Sequence, residues 1–448
     1  MSMALGRAMS ASSILCSLLE GGGNVAPQLA IARRLVERGH RVRVLTAKNQ
    51  PRLIERIVST GCRVVLCEPA KDEFPLPPMR GLVCGWSPFL LGFDGLAHRR
   101  LQSTPSWSRR VYDELCREPA DLAVVDDFLP GLMIGAEGAG VPVVTLVHSI
   151  YIRPAPGAPP FSSDFLPAQG PLGRIRDALF SRAVARVFRR DALPSINIAR
   201  RVVGLPPLHS YLDQFDRAAR VLVMTSPRFD FPARTLPANV RYVGMPFDIP
   251  EQGEPWRSPW PADDPRPLIL ISASSTPQAQ DSAASFQRAL DAVASLPVRA
   301  LGTLGSYLPA EQIRAPANVV LSNYIPHTQV LPHASAMITH AGHSGVMTAL
   351  AHGVPLICQL GDPRPLYARR GKDQPAIATR VVATGAGIRL YPGASTVRIR
   401  AAIEQVLYNP SFRTAARRIG DHIRSERGTE RAVAEIESLL PARAIPSE

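Results

Sequence analysis

Three short stretches of this 448-residue chain carry side chains whose types and spacing could do chemistry. The glycine turn "GGGN", residues 21–24, ends in Asn24. An amide cannot take a proton at neutral pH, so Asn24 can orient a ligand but cannot act as a base. In "AVVDDFLP" an apolar run ends on the pair Asp126 and Asp127. Neighbouring carboxylates repel when both are ionised, so one of them should hold its proton unusually tightly, and either could serve as a general base. "THAGHSGVMTALAHGVP" carries a glycine-bearing turn, 340–345, that opens a helix, with Gly353 and Pro355 in the places of stop signals. A helix N-terminus carries unpaired N–H groups and about half a positive charge, so it binds phosphate without a metal, and His340 and Ser344 add side-chain donors there.

The elements around these stretches alternate in type. The first turn lies between a strand over 13–19 and a helix over 25–38, followed by a strand over 41–47. "DLAVVDD" and "VPVVTLVH" are near-continuous apolar strands, as expected when both faces of a parallel sheet are covered by helices. The segment 244–267, crowded with Pro and acidic residues, has no period and reads as a linker. Beyond it the alternation restarts with "PLILISAS", "VRALGTLG", "NVVLSNYIP" and "VPLICQL". The fold class is therefore α/β, with two doubly wound domains, 1–243 and 268–448, facing a cleft; the last helix is placed to pack back on the first domain. Ligands in such folds sit beyond the carboxyl ends of the strands.

Composition narrows the partners. The charge of +14 (51 basic against 37 acidic residues) favours a negatively charged one: nucleotide, nucleic acid or anionic membrane. No RNA- or DNA-binding module is recognisable, which argues against nucleic acid. The six cysteines show no C-x-x-C spacing, so neither a zinc site nor a disulfide framework is expected. No apolar run reaches the ~18 residues needed to span a bilayer, so a soluble protein is expected, and the cysteines, several of them inside apolar runs, read as reduced core residues of a cytoplasmic one. Residues 173–204 contain a basic amphipathic helix with Ile175, Leu179, Ala183 and Val187 on one face. That pattern suits either peripheral contact with the inner face of a membrane or a core-facing helix with a solvated basic side. Neither domain has G-x-G-x-x-G after its first strand, which disfavours a dinucleotide-dependent dehydrogenase.

The stretch "NYIPHTQVLPHASAMITHAGHSGVMTALAHGVPLICQL…GKDQPAIATRV" resembles the donor-binding signature of the nucleotide-sugar glycosyltransferases that include the UDP-glycosyltransferases and macrolide glycosyltransferases. The likeness spans nearly the whole chain, strong over 267–390 and weak over 149–240, where such enzymes bind their varied acceptors. It implies the GT-B arrangement and transfer of a sugar, with inversion and without a metal or other cofactor, from an NDP-sugar (UDP or dTDP) to a small lipophilic acceptor. It also implies residue roles. Tyr324 would stack on the nucleotide base, with Ile325 beside it. His340, Gly342 and Ser344 would hold the diphosphate, Gly345 standing where the family has a hydroxyl residue. Ser275 and Thr276 would lie near the diphosphate, and Asp373 and Gln374 would bond the sugar. About nine extra residues near 361–371 separate "GVPLICQ" from "KDQ", a departure that could reshape the sugar pocket.

The departure with most chemical weight is in the first domain. The family pattern Gly-His-x-x-Pro, whose histidine is the general base, appears as Gly23-Asn24-Val25-Ala26-Pro27. The family's orienting acid falls at Asp126. The residues leave three readings: Asp126 or Asp127 acts as the base, with Asp126 preferred; the acceptor is acidic enough to need little help; or the chain binds NDP-sugars without transferring them. An epimerase or hydrolase on the same architecture is a further alternative. The sugar, the acceptor and the oligomeric state are not readable from the residues.

Overall fold

The computed structural model describes residues 11–19, 22–68, 100–151, 153–160, 163–247, 255–273, 283–305, 308–361 and 373–441. Two parallel sheets organise it. The first holds β1 (Ser13–Ser17), β2 (Arg41–Ala47), β3 (Arg63–Cys67), β4 (Leu122–Asp126), β5 (Val143–Val147), β6 (Arg220–Val223) and β7 (Val240–Tyr242), in the order β3-β2-β1-β4-β5-β6-β7. The second holds β8 (Leu268–Ser272), β9 (Arg299–Thr303), β10 (Val319–Ser322), β11 (Ala336–Thr339), β12 (Leu356–Gln359) and β13 (Gly387–Leu390), in the order β10-β9-β8-β11-β12-β13. This is the expected α/β architecture of two doubly wound units.

The strands read as continuous apolar runs because both sheet faces are covered. Leu15, Val125, Val147 and Val223 enter one core, while Ile14, Cys16, Val124 and Leu146 enter the core on the opposite face. In each sheet the strand order reverses beside the first strand of the unit, between β1 and β4 and between β8 and β11. The carboxyl ends there are the ligand-binding crevices of such sheets.

Five helices matter for the site: α1 (Val25–Glu37), α2 (Gly170–Val187), α3 (His343–Ala351), α4 (Gln374–Ala383) and α5 (Gly428–Glu437). α5 crosses back to the first unit, where Ala432, Val433 and Ile436 share a core with Ile14 and Leu29. Polar contacts also join the units. Arg380 Nε of α4 donates to Asp230 Oδ1 at 2.7 Å, both side chains buried. Of the segment 244–267, residues 244–247 and 255–267 are described, and Phe247, Trp256 and Trp260 lie against the second core.

α2 does not place its apolar stripe inward. Within it only Val184 is buried, while Leu172, Ile175 and Leu179 are 81%, 56% and 59% exposed. The core-facing reading of this helix is therefore set aside.

Candidate functional site

The glycine turn, the end of β4 and the end of β5 converge on one buried carboxylate. Asp126 Oδ1 accepts from the backbone N–H of Phe128 at 2.8 Å. Its Oδ2 accepts from Asn24 Nδ2 at 2.7 Å and from Gln28 Nε2 at 2.9 Å, and lies 3.0 Å from His148 Nε2. Parallel pairing explains the meeting, because β4 is flanked by β1 and β5 and all three strands run toward the same edge. Asn24 follows β1, Gln28 is one turn further on α1, and His148 is the first residue beyond β5.

Asn24 is not an exposed tip: it is 4% exposed, and its amide also donates to the Leu19 carbonyl at 3.1 Å. It orients the carboxylate, as an amide can. Phe128 stacks on the His148 ring with centroids 5.6 Å apart, and the Arg100 guanidinium lies over the other ring at 4.7 Å.

Burial disfavours the charge on Asp126, but His148, the Phe128 N–H and Asn24 outweigh it and hold the carboxyl below its ordinary range. Burial also opposes a charge on His148, yet Asp126 and Asp127 raise the imidazole above its usual value. Asp127 is pushed up to about 7 by burial and by Asp126, the asymmetry expected of adjacent carboxylates.

Asp126, Asp127 and His148 are close enough to share a cation. The hydrogen-bond set does not suit one. The amide N–H groups of Asn24 and Gln28 both point at Asp126 Oδ2, where a cation would meet their positive ends.

The opposite wall comes from the second sheet. After β11 the chain turns through Ala341 at φ 67° into α3, whose N-cap is Gly342 and whose first turn has no side-chain cap. Its leading N–H groups are thus left for a ligand. A Cβ at 342 would stand 2.6 Å from His340 Nε2, so a larger residue there would push the imidazole aside. A Cβ at Gly345 would meet nothing closer than 3.8 Å, so that position has no steric need for glycine. His343, not singled out from sequence, is buried and pushed down to about 3 by burial, and neither ring nitrogen has a partner among the described residues.

Other expected donor residues are placed as follows. Ser344 Oγ donates to the Gly23 carbonyl at 2.7 Å, so its proton is committed to the first unit's turn. Tyr324, just after β10, is 76% exposed, and Ile325 packs on the second core. Asp373 is the N-cap of α4 and accepts from Ser149 Oγ of the first unit, with half-buried Gln374 following. Ser275, Thr276 and most of the extra segment near 361–371 lie outside the described residues.

His148 and Gln28 were missed in the sequence because neither stands in a motif. Their signals were a polar residue closing an apolar strand and a polar residue four positions after Asn24 on the same helix face.

Comparison with known proteins agrees with this geometry. Residues 287–439 match the family model described as erythromycin biosynthesis protein CIII-like, C-terminal domain. The 4'-demethylrebeccamycin synthase of Lentzea aerocolonigenes is 30% identical over 439 residues, covering 95% of this chain and 99% of that protein. The glycotransferase of kitacinnamycin superposes with a TM-score of 0.70 at 20% identity, covering 96% of this chain and 99% of that one. The glycosyltransferase VinC in complex with dTDP superposes at 0.63 with 16% identity, covering 95% and 99%. Two facing doubly wound units and a full-length relative lead to one conclusion: the chain is a GT-B enzyme of the nucleotide-sugar glycosyltransferase family that includes the macrolide glycosyltransferases.

Proposed function

We propose that the enzyme moves a sugar from a UDP- or dTDP-linked donor to a small lipophilic acceptor, inverting the anomeric carbon. The observation that carries this reading is the 2.7 Å contact between Ser344 at the start of α3 and the Gly23 carbonyl beside Asn24. It sets the two strand-order reversals face to face, so a donor on one wall meets an acceptor on the other. A Cβ at Gly23 would lie 2.5 Å from Ser344 Oγ, so glycine permits this approach.

In this reading the diphosphate lies on the uncapped N-terminus of α3 with His340 beside it. The nucleotide base stacks on exposed Tyr324, and the sugar meets Asp373 and Gln374. The positive helix end stabilises the charge that develops on the leaving diphosphate, an electrostatic contribution already oriented before the reaction begins. The acceptor lies over the Asn24–Asp126 cluster and attacks from the face opposite the leaving group, which is the geometry of a single inverting displacement.

Peripheral membrane contact belongs to the same proposal. On α2 the outward Leu172, Ile175 and Leu179 are accompanied by the exposed Arg174, Arg176 and Arg182. An apolar stripe among arginines matches an anionic bilayer. Among the described residues no helix is long and apolar enough to cross a membrane.

The transfer is tested by following nucleoside diphosphate release with and without acceptor, and by assigning the product's anomeric configuration by NMR. Acceptor-dependent release with an inverted linkage is expected. Release at the same rate without acceptor would contradict it.

A further inference from the structure

We propose that His148 is the general base of the transfer, its Nδ1 taking the acceptor's proton while Asp126 holds the opposite ring nitrogen; this rests on the transferase reading above.

Tautomer and geometry carry the inference. His148 Nε2 lies 3.0 Å from Asp126 Oδ2 and 3.1 Å from the Gln28 amide nitrogen; the ionised carboxylate is the stronger partner of the two, and it draws the ring proton to Nε2. Nδ1 then has a free lone pair. It is buried and has no hydrogen-bond partner among the described residues. Leaving a buried polar atom unpaired costs roughly 1–3 kcal/mol, a cost that a hydroxyl or N–H of a bound acceptor would remove. The stacked Phe128 ring restricts rotation of the imidazole and so fixes which nitrogen faces which partner.

The rival bases are less suited. Both oxygens of Asp126 already accept hydrogen bonds, and a carboxylate so satisfied is a weak proton acceptor. Asp127 is buried with Oδ1 unpartnered and takes a hydrogen bond from the His148 backbone; the Asp127→Asn variant below separates it from the imidazole. The imidazole's charge is set by Asp126 and Asp127 from β4, by Arg100, and by nearby His343, which stays neutral. The arrangement keeps the carboxylate–imidazole pair that the family resemblance implies but supplies the imidazole from β5, with Asn24 filling the vacated place as a further donor to the carboxylate.

The step balances without an added reagent. The acceptor's X–H bond passes its proton to Nδ1, X forms the new bond to the anomeric carbon, and the carbon–oxygen bond to phosphate breaks, its electron pair leaving with the diphosphate. The imidazolium is stabilised by Asp126 until the proton passes to solvent.

The experiment compares wild type with His148→Gln and His148→Asn across acceptors of graded acidity, with NDP binding measured by calorimetry. Glutamine keeps an N–H for Asp126 but has no basic nitrogen, so it preserves the fold better. Expected is a fall in kcat/KM of about 10²–10⁴-fold, largest for the least acidic acceptors, with NDP affinity within about twofold of wild type. A wild-type rate in His148→Gln would overturn the proposal, as would an even loss across all acceptors. It would equally fall if Asp127→Asn showed the large, acidity-dependent loss instead. No transfer by wild type in the same assay would overturn the transferase reading itself, and the inference with it.

Discussion

The two walls of the cleft are built on opposite principles. On the first wall the polar groups are bonded to one another, with Asn24, Gln28, His148 and the Phe128 N–H all directed at Asp126. On the second wall the N-terminus of α3 has no side-chain cap, and backbone donors are left open. The difference fits the tasks proposed for the two walls. A diphosphate is bound by donors that nothing else satisfies, whereas a base must be held in one tautomer before the acceptor arrives.

Substitutions on the two walls should therefore separate in the kinetics. The largest effect is expected on the first, where His148→Gln lowers turnover and leaves donor affinity intact. On the second, His340→Ala should weaken NDP binding by about tenfold or more, the size of a hydrogen bond to a charged group. It should raise the donor KM while leaving the acid limb of the pH profile in place. Calorimetry with UDP and dTDP checks this, and an unchanged affinity for both would remove His340 from the donor site. The smallest effect is expected on α2, whose apolar stripe is exposed. Replacing Leu172, Ile175 and Leu179 by serine should leave turnover of a water-soluble acceptor unchanged but reduce co-sedimentation with anionic vesicles. Equal sedimentation of the variant and the parent would remove α2 from any membrane contact.

The walls also differ in how far the sequence discloses them. The second is local: His340, Gly342 and the start of α3 fall within four residues, so the turn and the helix it opens could be read directly. The β–α–β order of the first unit was equally plain, with expected strands and helix at 13–19, 25–38 and 41–47 observed as Ser13–Ser17, Val25–Glu37 and Arg41–Ala47. The Asp126 cluster joins Asn24 and Gln28, 102 and 98 residues before Asp126, to His148 at the end of the following strand, and only the strand order β1-β4-β5 brings them together. Asp126 could be found because it ends a strand in a familiar pattern. His148 ends the next strand without one, and pairing β4 to β5 in parallel is what turns it into a neighbour. For the same reason Ser344 was expected on phosphate: its bond to Gly23 depends on how the two units meet, which no local pattern encodes.

The proton's path can be followed through pH. A base works only when deprotonated, so kcat/KM must rise with pH through the His148 titration. Asp126 and Asp127 raise that titration above the ordinary 6.5. Asp127 itself titrates near 7, so Asp127→Asn serves as the control that isolates the imidazole. The most direct measurement is the pH dependence of kcat/KM for an aliphatic alcohol acceptor, in the Asp127→Asn background, with and without Asp126→Asn. Removing the Asp126 charge should shift the acid limb to lower pH and lower the plateau. An acid limb that stays in place when Asp126 is neutralised would contradict a His148 base held by Asp126.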